Sequence, residues 1–426
     1  MTSLLQDTDQ DTSTILKRGA RALTPSCMAL IKKTKTVERD SAVDIAKGLG
    51  ILLVIFGHTV AAWGGNQEAL HRFIYAFHMP LFFGVAGLYL SPSTSLLSLT
   101  RTKLKRFLIP FVFWVSCYFL LSLMIRILTG APLRSTDLVP MLGKLSLVPL
   151  LANWSSLAQA GISADLWFLP AVFSILMLSR LFTHVLGSQQ PLFALLIAIA
   201  LGWSTVQLNN VYQLHAHIPW SLDVALVCLP FLFLCPYRNT VTNWHWLAIP
   251  TLVVLIAALS RRAPVEVAGL HIIDYPRFLL TASAGLILVS MISAKLRNSW
   301  VGLQIAEVGQ RAFLMFVLQG AALLLFRPLL SRVPILSAHE TVFNAVLFVL
   351  CVVLTYSVYP WFKRSTFLRI FALGEPAHDP QTIDIHRSVW NGRPTGTYSW
   401  PIESRRRIRW SNITGMASKR HPALFG

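Results

Sequence analysis

The chain is 426 residues long, 54% hydrophobic and only 13% charged, with a mean hydropathy of +0.58. A soluble protein of this length carries far more charge, which excludes a soluble globular enzyme. The formal net charge of +19 has the size expected of a nucleic-acid binder. Its cations sit mostly in the two tails, however, and no stacking platform or groove-reading motif accompanies them. Anionic lipid of a bilayer is therefore the expected partner, and nucleic acid is not.

Apolar runs of about twenty residues, separated by short polar breaks, predict an all-α polytopic membrane protein with about ten transmembrane helices. Residues 1–43 read as a basic cytoplasmic arm with Lys17, Arg18, Arg21, Lys32, Lys33, Lys35 and Arg39. Spans follow near 44–63, 73–90, 107–128, 165–186, 190–207, 220–236, 244–260, 277–293, 305–326 and 340–361. A basic loop, Arg101 to Arg106, precedes the third span, and residues 129–164 form a longer, mildly apolar connection. Together, residues 44–362 make one transmembrane domain, and 363–426 read as a basic, partly disordered cytoplasmic tail. An even number of crossings puts both termini on one side. The basic arm, the Arg101–Arg106 loop and the Lys363-Arg364 and Arg405-Arg406-Arg407 clusters assign that side to the cytoplasm. Trp63, Trp114, Trp167, Trp220 and Trp361 fall near span ends, as an interfacial aromatic belt would. The five cysteines lie mostly inside apolar runs and read as small buried hydrophobes.

The first span carries three ionisable side chains, Asp44, Lys47 and His58. At about 100° per residue Lys47 and His58 share a helix face, about 16 Å apart along the axis, and Asp44 lies on that face too. Ionisable groups in a membrane helix are costly and normally point into a bundle or a wet cavity. Singly, Lys47 suits snorkelling to the interface and a lone His suits hydrogen-bonded packing. Three on one stripe read as the lining of a site. The second span returns inward, so the hairpin sets His78 at the depth of His58, while Lys47 and the Arg101–Arg106 loop meet at the opposite end. Pro80 is expected to kink its helix and free the Ala76 carbonyl. No carboxylate and His cluster at metal-ligand spacing surrounds His58, so no metal is expected.

Lys47, ten residues and then His58 resemble the basic-x10-His signature of the membrane acyltransferase-3 family, which modifies bacterial surface carbohydrates. His78-Met-Pro-Leu-Phe-Phe83, Lys103-Leu-Lys105-Arg106 with Ile109-Pro110, Leu166-Trp167-Phe-Leu-Pro170 and Pro219-Trp220-Ser-Leu-Asp223 resemble that family's further motifs, in order, across residues 39–361. The flavour is similar to the fucose-acetylase-like and exopolysaccharide (xanthan-type) acetyltransferase branch. Lys47 replaces an Arg frequent in the lipopolysaccharide-modifying branch, and Gln319 stands where many relatives have a His.

The resemblance implies O-acetyl transfer from cytoplasmic acetyl-CoA to a hydroxyl of a surface polysaccharide or its lipid-linked precursor, in a bacterial cytoplasmic (inner) membrane. It brings acetyl-CoA as substrate without a permanently bound cofactor, and polysaccharide-assembly proteins are the neighbours such a role suggests. CoA phosphates are expected at Lys47, Arg101, Lys103, Lys105 and Arg106. His58 is the expected general base, because imidazole takes and returns a proton near neutral pH. His78 is expected to polarise the carbonyl or position the acceptor, and Asp44 to pair with Lys47. Direct transfer and a transient acetyl-imidazole both remain open. Trp167 and Asp223, in the later motifs, are the candidates for the acceptor side. Asp165 and Asp274 suit loop pairing or helix capping at least as well as function. Residue chemistry without the resemblance fits a proton-coupled transporter or flippase of polysaccharide precursors nearly as well, and a non-catalytic assembly scaffold less well.

Overall fold

The computed structural model describes residues 40–60, 68–90, 94–128, 143, 145–146, 148–186, 191–234, 247–259 and 265–376. The amino-terminal arm, most of the 129–147 connection and the tail beyond 376 lie outside these, as do Trp63, Cys27 and Cys235.

The described chain is almost entirely helical. Helix α1 (Ser41–Val60) is followed by two short helices, α2 (Glu68–Tyr75) and α3 (His78–Gly87). Helix α4 (Leu96–Lys103) runs through a π-helical turn, Leu104–Leu108, into α5 (Ile109–Leu128). Helix α6 (Trp154–Gln159) and a 3-10 turn, Ala164–Trp167, lead into α7 (Phe168–Leu186). Then come α8 (Pro191–Tyr212), two 3-10 turns (Leu214–His217 and Pro219–Ser221), α9 (Leu222–Leu234) and α10 (Ala248–Leu259). A two-stranded antiparallel ribbon follows, β1 (Val265–Glu266) paired with β2 (His271–Ile272). The chain ends in α11 (Tyr275–Leu296), α12 (Trp300–Leu330), α13 (Pro334–Ser337), α14 (Glu340–Ser357), α15 (Tyr359–Arg364) and α16 (Thr366–Phe371).

Among the described residues seven helical runs are long and apolar enough to cross a membrane: 41–60, 96–128, 164–186, 192–212, 275–296, 300–330 and 340–364. The other three expected spans are shorter. The 73–90 segment breaks between α2 and α3, where Phe77 leaves helical geometry (φ −141°, ψ −14°). Helix α9 starts late, at Leu222, because Pro219 and the left-handed Trp220 and Ser221 (φ 58° and 48°) end the preceding turn. Helix α10 has 12 residues, short of the roughly 20 that a perpendicular crossing needs.

The expected basic loop before the third span is instead helical. Pro110 has no N–H to donate to the Arg106 carbonyl, and the preceding turn widens so that Ile109 N bonds Leu104 O in the i to i+5 pattern.

Helices α1 and α7 are the innermost, with 67% and 61% of their apolar windows buried against 28–39% for the other five runs. Asp40 starts α1, its carboxylate accepting from Ala42 N at 3.0 Å. Helix α1 lies directly against α12. A Cβ on Gly309 would stand 1.8 Å from the Asp44 carbonyl oxygen, and one on Gly48 2.1 Å from that of Ile305. Glycine is required at both for the backbones to touch, the small-residue packing common between membrane helices. The two helices run parallel from this contact to their far ends, where Arg327 Nη2 donates to the His58 carbonyl at 3.4 Å.

Residues 363–376, counted with the tail in the sequence reading, are folded. Trp114 Nε1 donates to Ala372 O at 3.0 Å and Arg106 Nη1 to Leu373 O at 2.9 Å. Trp114 and Trp167 are core residues, and Trp220 and Trp361 are exposed. Burial of the first two takes them out of the expected aromatic belt.

Candidate active site

The His58 ring, near the end of α1, lies between two partners. Its Nδ1 is 3.3 Å from the Tyr75 hydroxyl and its Nε2 is 3.5 Å from Asp165 Oδ1. One tautomer satisfies both: Nε2–H faces the carboxylate, and Nδ1 accepts from the Tyr75 O–H. His58 and Asp165 are each about a quarter exposed, so the pair is reachable without being open to bulk water.

Local chemistry puts Asp165 there. Asn153 and Ser156 close a capping box at the start of α6, and Gly161, in a left-handed conformation (φ 68°), turns the chain out of that helix. The chain then enters the 3-10 turn in front of α7, with Ser163 Oγ 3.5 Å from the other Asp165 oxygen. The Tyr118 hydroxyl braces the neighbouring wall: it donates to Val317 O at 2.8 Å and accepts from Ala321 N at 2.9 Å, opening one turn of α12.

At the other end of α1, Lys47 Nζ lies 3.1 Å from Asp44 Oδ1 and donates to the Tyr89 hydroxyl at 2.8 Å, also lying over that ring. Asp44 is 2% exposed and Lys47 21%. The expected Asp44–Lys47 pairing is therefore present. Tyr75 beside His58 and Tyr89 beside Lys47 bracket α3, which consequently runs antiparallel to α1, as the hairpin reading requires.

His78 is at the depth of His58 but does not touch it. It is buried, its Nδ1 is 2.9 Å from the Ile74 carbonyl, and its ring packs at 4.7 Å against that of Tyr75, which lies between the two histidines. The chain breaks at Phe77, ahead of Pro80, which lies inside α3, and the carbonyl that His78 binds is that of Ile74 and not the expected Ala76. Trp167 is buried against Phe83 and Phe168, so its indole faces the core. Asp223, 1% exposed, sits 2.6 Å from His215 Nδ1 at the start of α9. Asp274 caps α11, accepting from Arg277 N at 3.0 Å. Glu307 and Arg311 pair with each other on α12 at 2.5 Å.

The four basic residues diverge. Arg101 and Lys105 are exposed and Lys103 is half-buried. Arg106 is engaged with the carboxy-terminal segment and lies over the Phe313 ring, with Glu375 Oε1 3.9 Å away. Glu375 also binds Lys363. Phe313 is four residues beyond Gly309, so Arg106 and Asp44 border neighbouring turns of α12.

Asp165, Tyr75, Arg327 and His215 were not singled out for the site by the sequence reading. Asp165 precedes the Leu166-Trp167 motif, which was the available signal. Tyr75 stands three residues before His78, a spacing that was readable too, although the helix breaks between them. Arg327 and His215 reach their partners only through tertiary packing. Among the described residues no group of three or more His, Cys, Asp or Glu is placed to hold a metal ion.

Residues 40–360 match the acyltransferase-3 family, described as an acyltransferase domain. The chain is also similar to the nodulation protein NolL of Mesorhizobium japonicum, 28% identical over 240 residues that cover 52% of this chain and 56% of that protein. The alignment thus spans about half the length of each. No solved structure matches the chain. Family membership weighs toward the enzyme reading over the transporter reading, which residue chemistry left nearly even. The chain belongs to the acyltransferase-3 family.

Proposed function

We propose that this acyltransferase is an O-acetyltransferase of a bacterial cytoplasmic membrane. In this reading it moves an acetyl group from cytoplasmic acetyl-CoA to a hydroxyl of a surface polysaccharide, an exopolysaccharide or a lipid-linked precursor. The observation that carries the reading is the His58–Asp165 pair at one end of α1, with the Lys47–Asp44–Tyr89 cluster at the other.

The chemistry follows from the tautomer. With Nε2–H held toward Asp165, Nδ1 keeps its lone pair, and the Tyr75 hydroxyl marks where a donor O–H sits. The acceptor hydroxyl takes that place. As its oxygen attacks the thioester carbon, the new C–O bond forms, the C–S bond breaks, and the proton passes to Nδ1 and then to the departing thiolate. Asp165 stabilises the imidazolium formed in between, the role a carboxylate plays behind a catalytic His elsewhere. The Arg327 guanidinium, tied to the His58 carbonyl, fixes the end of α1. His78 acts on Tyr75 and on the helix break around Ile74, as a positioning residue. Lys47, Arg101, Lys103 and Lys105 supply positive charge for the CoA phosphates, and Arg106 adds to that field from its anchored place. Asp223 and Trp167 belong to the acceptor side, Asp223 by hydrogen bonding and Trp167 by shaping the wall behind Phe83.

In this reading the broken α2–α3 pair, α9 and α10 cross the membrane in addition to the seven long runs, which makes ten crossings. Both termini then lie in the cytoplasm, on the Lys47 side. Polysaccharide-assembly proteins are the expected neighbours.

The test supplies isotopically labelled acetyl-CoA to the cytoplasmic face of membranes containing the full chain, with the host's polysaccharide fraction as acceptor. Label in that fraction, released by mild base as an ester would be, supports the reading. Its absence with acetyl-CoA, together with transfer from a longer acyl-CoA, would replace the donor.

A further inference from the structure

Among the described residues a second His–Asp pair, His215 with Asp223, lies in the bend between α8 and α9. We propose that this bend is a docking site for a glycolipid, with the sugar headgroup held by Asp223 and the chain lying along the outer face of α8 and α9. The proposal deepens the acceptor side of the function above, and rests on it only for calling the bound glycolipid an acceptor.

Three sets of observations carry it. The first is unmet hydrogen bonding. Asp223 Oδ2 is taken by His215 Nδ1, but Asp223 Oδ1, His215 Nε2 and Ser221 Oγ are buried with no partner among the described residues. A buried carboxylate oxygen without a donor is costly, and it becomes favourable when a ligand hydroxyl supplies the missing bond. Of these groups Asp223 lines the cavity described next, and its unpaired carboxylate oxygen is the acceptor that a sugar hydroxyl matches, with His215 holding the other oxygen.

The second is a cavity of about 210 Å³, lined by Asp223, Asn209, Thr205, Leu208, Leu214, Ile218, Leu222 and Leu226. This is well above the roughly 30 Å³ share of one water. Its polar residues are few and its walls are leucine and isoleucine. Leu208, Leu214 and Leu222 are also 50%, 38% and 37% exposed, so the cavity opens through an apolar rim on helices that the composition places in a bilayer. A free sugar has no use for such a rim, whereas an amphiphile does.

The third is a bend held in an unfavourable conformation. Gln213, Trp220 and Ser221 all adopt left-handed backbone geometry without being glycine, which persists only where the surroundings over-determine it. Here they do. Asn153 Nδ2 donates to His215 O at 3.3 Å and to Ile218 O at 3.0 Å, Asn209 Oδ1 accepts from His215 N at 2.9 Å, and Ser174 Oγ donates to Trp220 O at 2.9 Å. Asn153 also opens the segment that ends in Asp165, so one stretch of chain braces this bend and supplies the partner of His58.

The experiment irradiates the full-length protein in lipid nanodiscs with a hexadecyl glucoside bearing a diazirine next to the sugar, and maps the labelled peptides by mass spectrometry. Expected is labelling within residues 205–226. Unlabelled hexadecyl glucoside should suppress it by about tenfold, while hexadecanol and free glucose at the same concentration should leave it in place. Leu208→Trp, which fills the cavity from its exposed rim, and Asp223→Asn should each abolish it. The first of these guards against a folding defect in the second. Equal competition by hexadecanol would reduce the site to an ordinary lipid contact. Equal competition by glucose would make it a water-side sugar site, and undiminished labelling of both variants would place the probe elsewhere; each of these overturns the proposal. The readout needs no acetyl-CoA. Glycoside-specific labelling without acetyl transfer would therefore leave the docking site standing and remove only its role as acceptor site.

Discussion

His58 Nε2 and Asp165 Oδ1 stand 3.5 Å apart, joining the far end of the first membrane helix to the turn in front of α7. This geometry does for the imidazole what capping does for a helix: it assigns each ring nitrogen a direction. Asp165→Asn keeps the shape and removes the charge that, in the proposed mechanism, stabilises the imidazolium. The expected result is a fall in kcat of about 10²–10⁴-fold with the KM for the acyl donor nearly unchanged, measured by initial rates at matched protein abundance. A fall confined to the donor KM would assign Asp165 to binding instead.

Lys47→Met takes the ammonium from beside a carboxylate that is only 2% exposed. Loss of one partner of a buried pair costs about 3 kcal/mol or somewhat less at this partly exposed end. The variant should melt earlier in detergent and show a raised donor KM. Asp44→Asn added to Lys47→Met should restore most of the melting temperature and none of the donor affinity. Restoration of both would mean that Lys47 serves only the fold.

The α1–α12 contact gives a prediction free of any mechanism. Gly309→Ala places a methyl 1.8 Å from the Asp44 carbonyl oxygen, so the two backbones must separate, at a cost of about 1–3 kcal/mol. Gly143→Ala, which meets nothing within 4 Å among the described residues, is the matched control. Thermal unfolding in detergent should separate the two, and equal melting temperatures would show that the helices do not touch there.

His78→Phe keeps a ring against Tyr75 and loses the bond to the Ile74 carbonyl. We expect stability to fall by about 1 kcal/mol and kcat to change less than for Asp165→Asn. A larger loss of kcat at His78 would restore it to direct contact with the reacting carbonyl.

Much of this was legible in the chain because it is local. The stripe of Asp44, Lys47 and His58 follows from helix periodicity alone, and the antiparallel return that sets His78 at the level of His58 follows from two successive spans joined by a short loop. The Asp44–Lys47 pair, one turn apart, needed no tertiary knowledge. Asp165 was different. Its neighbours suggest a cap or loop residue, the role that Asp274 does fill, and only packing of the α7 turn against α1 brings it to the imidazole. The basic run misled in the other direction, because charge density suggested a loop where Pro110 leaves a π turn within a continuous helix. Arg106 is engaged by the Leu373 carbonyl, a contact between distant segments that no spacing encodes. Trp114 and Trp167 looked interfacial by position, yet bury their rings, since a span end in a compact bundle is not necessarily at the lipid surface.

The central claim is that His58 and Asp165 act as one unit, and a double-mutant cycle on the acyl-transfer rate tests it most directly. Initial rates with labelled acetyl-CoA are measured for wild type, His58→Ala, Asp165→Asn and the double variant, at matched abundance and melting behaviour. Residues that work as a unit lose their effect together, so the double variant should be hardly slower than His58→Ala alone. Losses that multiply, or a His58→Ala enzyme as fast as wild type, would contradict the account.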